Sequence, residues 1–412
     1  MSSYQTFAMK LDNVDNIIFN DNDISYKLVS NINLPLHSLG YNYYLSRTKS
    51  SMSITKNFES KNEFYYVVNP FEVNIHIITD NLLLESTNSY FNTTNEIYDS
   101  TFYIYWDIFT IFNIIENIEE LVITILSLKN NSIINCINNY KNIRKSFLSK
   151  IKDIILYTIS NQEEEIKIDN KIKHHNFKLD ISNTKSIIKF NEEVKKKHNN
   201  HIIIGDYGHD NEGEIYNILI NEILIALTYQ NNNGHFILKI YESFTIPTLK
   251  LIYILSACYE EVYIYKPYFS RPSESDKYII CKNYQKNKTL LIANIIKILQ
   301  SIKSEPNKYI YSIIPKLILP QTFLNKIIFI NIKLINTQQI IINNIIKYIK
   351  QNNYFGDNYH SYKSEQLKAI KWWILTFFSE KIINEDFIKK FNSQLELIDI
   401  EYKQFQVALI KN

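Results

Sequence analysis

Between residues 176 and 284 the apolar positions alternate between two spacings. NFKLDIS reads as a strand, SIIKFNEEVKKK as a helix and HIIIGD as a strand, with polar turns between them. GHFILKIY then opens on a glycine and runs almost continuously apolar. PTLKLIYILSACY sets Pro247 at a first helical position and spaces its apolar residues at helical intervals. EEVYIYKP and KYIICKNY are β-branched and aromatic runs, separated by a polar loop containing SRPSESD. Strand alternating with helix over this length predicts an α/β fold, a Rossmann-like doubly wound sheet.

Upstream, TFYIYWDIFTIFNIIENIEELVITILSL (101–128) predicts a helix followed by a buried strand or a second helix. Residues 129–155 predict an amphipathic helix carrying Lys141, Arg144, Lys145, Lys150 and Lys152, read as a solvated face or, alternatively, as a track for RNA phosphates. Residues 161–175 predict an exposed loop or insertion. In 62–100, FYYVV and VNIHII, separated by Asn- and Ser-rich breaks, suggest two short strands and loops. Residues 1–60 are polar and mixed and predict an irregular N-terminal arm. Its Tyr41, Tyr43 and Tyr44 pack on the main domain or offer rings on which bases stack. Beyond 285, helical stripes separated by Pro306, Pro315, Pro320 and Gly356 predict a mostly helical C-terminal extension. Trp372 and Trp373 lie within an apolar stripe and read as core. The expected parts are 1–100, 101–284 and 285–412.

Composition changes this picture little. Isoleucine, asparagine, lysine and tyrosine dominate while glycine (6) and proline (8) are scarce, so isoleucine content alone does not separate strand from helix. A net charge of +3 is compatible with an RNA partner and is no argument for one. Cys136, Cys258 and Cys281 lack metal-ligand spacing, and their odd number points to a reducing compartment. No signal-like start is visible, and no run of about 18 uncharged apolar residues is present, so no membrane association is expected.

Two residues stand out chemically. Lys239 interrupts a strand that should be buried, which is costly unless the amine is needed. Asp206 follows three isoleucines and Gly205, at the carboxyl end of a strand where α/β sheets bind ligands.

From Gly234 to Lys239, then Glu260 to Pro267, then Ser270-Arg271-Pro272, Ser275, Asp276, Tyr278 and Cys281-Lys282, the chain resembles the FtsJ-like RNA ribose 2′-O-methyltransferases, in particular the cap methyltransferases of large DNA viruses and eukaryotes. The resemblance covers about residues 176–284. It implies S-adenosylmethionine as cofactor, capped mRNA as substrate, and a Lys-Asp-Lys-Glu tetrad that steers the proton of a ribose hydroxyl. Asp206 and Lys239 fall on two tetrad positions, and Asp276 falls on the fourth, where the family has glutamate. Asp180 and Gly205 fall, with Asp206, where relatives approach the cofactor; a loop-capping role for Asp180 is the alternative.

The chain departs from the family pattern twice. No lysine occurs between Lys61 and Lys129, so the first tetrad position, expected on the FYIYWDIFTIF helix, has none. No glycine occurs between Gly40 and Gly205, so the first strand-to-helix loop, Lys129 to Ser132, is not glycine-rich. Two expectations therefore stand side by side: a cap 2′-O-methyltransferase acting in the cytoplasm or a virion, and a catalytically inactive subunit that binds RNA or stimulates a capping-enzyme or poly(A)-polymerase partner.

Overall fold

The computed structural model describes the chain except residues 1–3, 5, 15–16, 18–24, 31–36, 38, 58–68, 72–77, 95, 117, 161–171, 195–199, 208–215, 303–307, 351–356, 379–384 and 412. In chain order the elements are β1 (Phe7–Lys10), β2 (Tyr26–Val29), α1 (Leu39–Ser50), α2 (Ile78–Phe91), α3 (Ser100–Phe112), β3 (Glu120–Ser127), α4 (Asn130–Ile143), β4 (Asp153–Ser160) and β5 (Ile172–Lys178). Then come α5 (Thr184–Val194), β6 (Asn200–Asp206), α6 (Tyr216–Tyr229), β7 (Gln230–Ile240), α7 (Ile246–Cys258), β8 (Tyr259–Lys266) and β9 (Lys277–Tyr284). The last are α8 (Thr289–Ser301), β10 (Tyr309–Ile313), α9 (Gln321–Lys350), α10 (Asp357–Phe377) and α11 (Glu385–Lys411).

Eight strands form one sheet in the order β1-β8-β9-β7-β6-β3-β4-β5. From β7 to β5 every pairing is parallel; β9 runs antiparallel between β7 and β8, and β1 lies antiparallel on β8. The chain leaves β3 toward β4 and β5, then returns to lay β6 on the other flank of β3. That reversal creates a crevice outside the carboxyl ends of β3 and β6.

Strand alternation sorts the core onto two faces. Val122, Leu126, Ile203, Phe236 and Leu238 face one apolar cluster with α6 and α7. Leu121, Ile123, Ile125, Ile202, Ile204 and Ile237 face the other, built with α3, α4 and α10. Ten of the thirteen residues of α3 are buried, so this helix is sunk in the second core instead of riding on it. Asp99 caps its start by accepting from Phe102 N, and Asn113, at φ 50°, closes its end. α7 starts one residue before the predicted first position, at Ile246, with Thr245 as N-cap and Pro247 in its first turn.

Several expectations change. The N-terminal arm is partly regular: β1 extends the main sheet, and β2 pairs with β10 from the C-terminal region. Part of the stretch read as loops is the helix α2, which begins at Ile78, the last residue of VNIHII; FYYVV and the rest of VNIHII lie outside the described residues, as do Pro306 and Gly356. The helix expected over 129–155 ends at Ile143, because the chain turns to begin β4 at Asp153. Residues 172–175, read as loop, belong to β5. Trp373 is wholly buried, as its stripe predicts. Tyr43 and Tyr44 are exposed (64% and 59%) and pack on each other edge to face; the Tyr41 side chain lies outside the described residues. Among the described residues no helix is long and apolar enough to cross a membrane. All three cysteines are buried and free.

Candidate active site

Ser127 and Asp206, the last residues of β3 and β6, are register partners at the crevice. Asp206 is nearly buried. Its Oδ1 lies 3.1 Å from Lys239 Nζ, and its Oδ2 accepts a 2.9 Å hydrogen bond from the Tyr105 hydroxyl on α3. Alternation explains the meeting: Lys239 shares the face of Ile237, and Asp206 that of Ile202 and Ile204, which is where α3 packs. Lys239 Nζ also lies 5.6 Å and 6.0 Å from the ring centroids of Tyr241 and Tyr278.

Burial works against the Lys239 ammonium. Its neighbours Tyr278, Asp206, Tyr241 and Asp276 outweigh that and hold its pKa above the ordinary lysine value. At neutral pH Lys239 is therefore a charged hydrogen-bond donor. Tyr105 is pushed well above the usual phenol range by burial and by Asp206, so it too keeps its proton.

Asp276 is placed differently from the tetrad expectation. Its ion-pair partner is Lys266, whose Nζ reaches Asp276 Oδ1 at 2.7 Å, Asp276 O at 2.6 Å and Glu274 O at 3.0 Å. Ser270 Oγ donates to Asp276 Oδ2 at 2.6 Å. The Lys266 ammonium thus has an acceptor for each of its three protons, and it clamps the SRPSESD loop onto the end of β8. Burial alone would raise the Asp276 pKa, but Lys266 and Lys239 outweigh it and hold the carboxyl below the usual carboxylate value. Asp276 thus contributes to the field around Lys239 while its hydrogen bonds serve the loop.

Two residues beside the site carry no sequence motif of their own. Tyr105 was one of six aromatic rings in an apolar helix, with no spacing to single it out. Glu222, on α6, lies on the opposite face and accepts from Tyr207 N at 3.2 Å. Burial lifts its pKa well above the carboxylate range, so a neutral acid supports the tip of β6. Gly205 has a packing reason: a Cβ there would come within 2.9 Å of Glu222 Cδ and 3.1 Å of Leu238 Cδ1. Asp180 is exposed after β5, and its Oδ1 accepts from Ser182 N and Oγ (2.9 and 2.7 Å), the pattern of a turn-capping aspartate.

Residues 153–284 match the model of the FtsJ-like methyltransferase family. The chain carries an FtsJ-like methyltransferase domain. The match begins at β4, so α3 with Tyr105, and the first strand-to-helix turn, lie before it. The FtsJ-like domain is similar to curated cap-specific mRNA (nucleoside-2′-O-)-methyltransferases. The Bos taurus protein is 38% identical over 89 residues, 20% of this chain and 11% of that protein. The Caenorhabditis briggsae protein 1A is 30% identical over 126 residues, 29% of this chain and 14% of that one. The Caenorhabditis elegans protein is 27% identical over 187 residues, 42% of this chain and 20% of that one. The chain thus spans a fifth or less of the length of these relatives.

FtsJ-like methyltransferases as a family use S-adenosylmethionine, and the crevice offers one test of fit. Asn130 sits in the first strand-to-helix turn, 1% exposed, and neither its Oδ1 nor its Nδ2 has a hydrogen-bond partner among the described residues. A buried amide with an idle donor and an idle acceptor is costly in an empty protein and suits a ligand end that carries both an ammonium and a carboxylate. On this donor set the residues fit the group. Among the described residues no cluster of three or more histidine, cysteine or acidic groups could hold a metal ion.

Proposed function

We propose that this chain is an S-adenosylmethionine-dependent RNA 2′-O-ribose methyltransferase acting on capped mRNA. The observation that carries the reading is the 3.1 Å Lys239–Asp206 pair at the reversal of strand order in an FtsJ-like domain. Asn130 and Asp206, at the ends of β3 and β6, would hold the cofactor, which supplies an electrophilic methyl group when bound.

The remaining work belongs to the chain. A ribose hydroxyl is a poor nucleophile and must be held in line. Lys239, kept charged, donates a hydrogen bond to the ribose oxygen and stabilises the negative charge that grows on it. Asp206 aims that ammonium. With the cofactor bound, the carbon–oxygen bond would form as the methyl–sulfur bond breaks, its electron pair staying on sulfur, and the hydroxyl proton would leave to water, because a protonated Lys239 cannot accept it. A cavity of about 380 Å³ opens at the carboxyl ends of β7 and β8, lined in part by Tyr4, Phe71, Glu242, Lys266, Tyr268 and Ser270. Its aromatic walls suit a base of the substrate, with rings on which to stack.

The test is transfer of tritium from labelled S-adenosylmethionine to the 2′-oxygen of capped RNA, using the full chain. Transfer should occur in the wild type and vanish in Lys239→Ala. Absence of both transfer and cofactor binding by calorimetry, in folded protein, refutes the reading. One observation favours a second: Asp276 is engaged by Lys266, as in a subunit that keeps the fold for RNA binding or for stimulating a capping or polyadenylation partner. That reading expects RNA or partner association indifferent to Lys239→Ala, without transfer.

A further inference from the structure

We infer that Tyr105 is a positioning residue of this site: its hydroxyl occupies Asp206 Oδ2 and thereby fixes Oδ1 toward Lys239. The inference rests on the methyltransferase reading above.

The geometry is over-determined. Tyr105 is fully buried, its ring is edge-on to Tyr278 (centroids 6.0 Å apart) and tilted against Phe109 (5.9 Å), and it stands on a helix fastened at both ends. The phenol therefore has one place to donate, 2.9 Å from Asp206 Oδ2. A carboxylate gripped at one oxygen can still rotate about its last bond; gripped at both, it cannot. The Lys239 ammonium then meets a stationary oxygen and is itself stationary.

Chemistry adds a second consequence. Tyr105 stands on the helix where the resemblance expects the first tetrad lysine, and it brings no charge of its own to the site. A neutral phenol satisfies Oδ2 while leaving the negative charge to a single cation. Tyr105 thus acts on the reacting groups through Asp206, by keeping Lys239 oriented and charged.

Tyr105→Phe removes only the hydroxyl. In the full chain, the kcat for methyl transfer to capped RNA should fall about tenfold or more, the loss expected for one hydrogen bond to a charged group. KM for RNA and cofactor should stay within about twofold, since neither is touched. A readout independent of turnover is competitive acetylation of lysine amines across about pH 8 to 12, followed by mass spectrometry. The Lys239 curve should move down by about half a pH unit or more, read as acetylation about threefold faster at each pH below its midpoint, once Asp206 is free to turn. An unchanged Lys239 curve in folded Tyr105→Phe overturns the inference, as does an unchanged kcat in an active enzyme. If the wild type transfers no methyl group, the functional reading fails, and the acetylation curve alone decides the role of Tyr105. Should Tyr105→Phe not fold, 4-aminophenylalanine in place of Tyr105 keeps the shape with a weaker donor. A Lys239 midpoint moved part of the way supports the inference, and a wild-type midpoint overturns it.

Discussion

Replacing Asp276 with asparagine removes one negative charge and almost no volume. What remains is the Lys266 ammonium, only 12% exposed, with two carbonyls and an amide oxygen around it but no counter-charge. Coulomb's law at the observed 2.7 Å gives about 6 kcal/mol at an effective dielectric of 20. Part of that is offset by no longer desolvating the carboxylate, and breaking a buried pair by removing one partner costs about 3–5 kcal/mol in general. The asparagine still accepts from Lys266 and Ser270, so a loss of about 3 kcal/mol is expected.

The sign with pH follows from the lowered carboxyl. A depressed pKa contributes stability that is complete above the unfolded value of about 3.9 and is lost as pH falls through the folded value below it. The gap between wild type and Asp276→Asn should therefore be constant from about pH 5 to 8 and shrink below about pH 4. Denaturant unfolding across that range measures the gap, and hydrogen exchange reports whether residues 267–276 open first. A gap under about 0.5 kcal/mol at pH 7, or one that widens in acid, would show that the clamp does not hold this loop.

Other outcomes follow from the same geometry. Lys239→Ala should reduce methyl transfer by about a hundredfold or more and, by leaving buried Asp206 without its counter-charge, cost about 3 kcal/mol of stability, checked by the tritium assay and chemical denaturation. Gly205→Ala should destabilise by about 1–3 kcal/mol, because its Cβ meets Glu222 Cδ at 2.9 Å. Adding Glu222→Ala should recover part of that loss, so the double variant in chemical denaturation should be less destabilised than the sum of the singles. Trp373→Phe deletes the indole donor 2.7 Å from buried Asp107 Oδ1. The orphaned acid should cost about 1–3 kcal/mol, read from the same unfolding curves.

Much of the sheet was legible along the chain, because its strands are short apolar runs bounded by turns and its helices carry start signals such as Pro247. Lys239 announced itself as a charge inside a strand, and Asp206 as an acid at a strand end. Regions rich in isoleucine and asparagine were harder. α2 lies almost wholly where loops were expected, because its apolar residues sit among Asn, Ser and Thr that read as breaks. The N-terminal arm supplies β1 and β2, whose partners β8 and β10 lie more than 200 residues away. No local pattern records such a pairing.

The sequence by itself determined that Asp206 ends one strand and that Lys239 interrupts another, because strand periodicity and strand ends are local properties of the backbone. That the two side chains share a face and meet follows from the parallel pairing of β6 with β7 and its register. Only the tertiary structure decided what surrounds them. Tyr105 was indistinguishable from its aromatic neighbours until the packing of α3 aimed one hydroxyl at Asp206. Asp276 was free to serve Lys239 or Lys266 until the loop closed on the latter. Side-chain partners are chosen by distances of a few ångströms between segments far apart in the chain, and those distances exist only once the helices are seated on the sheet.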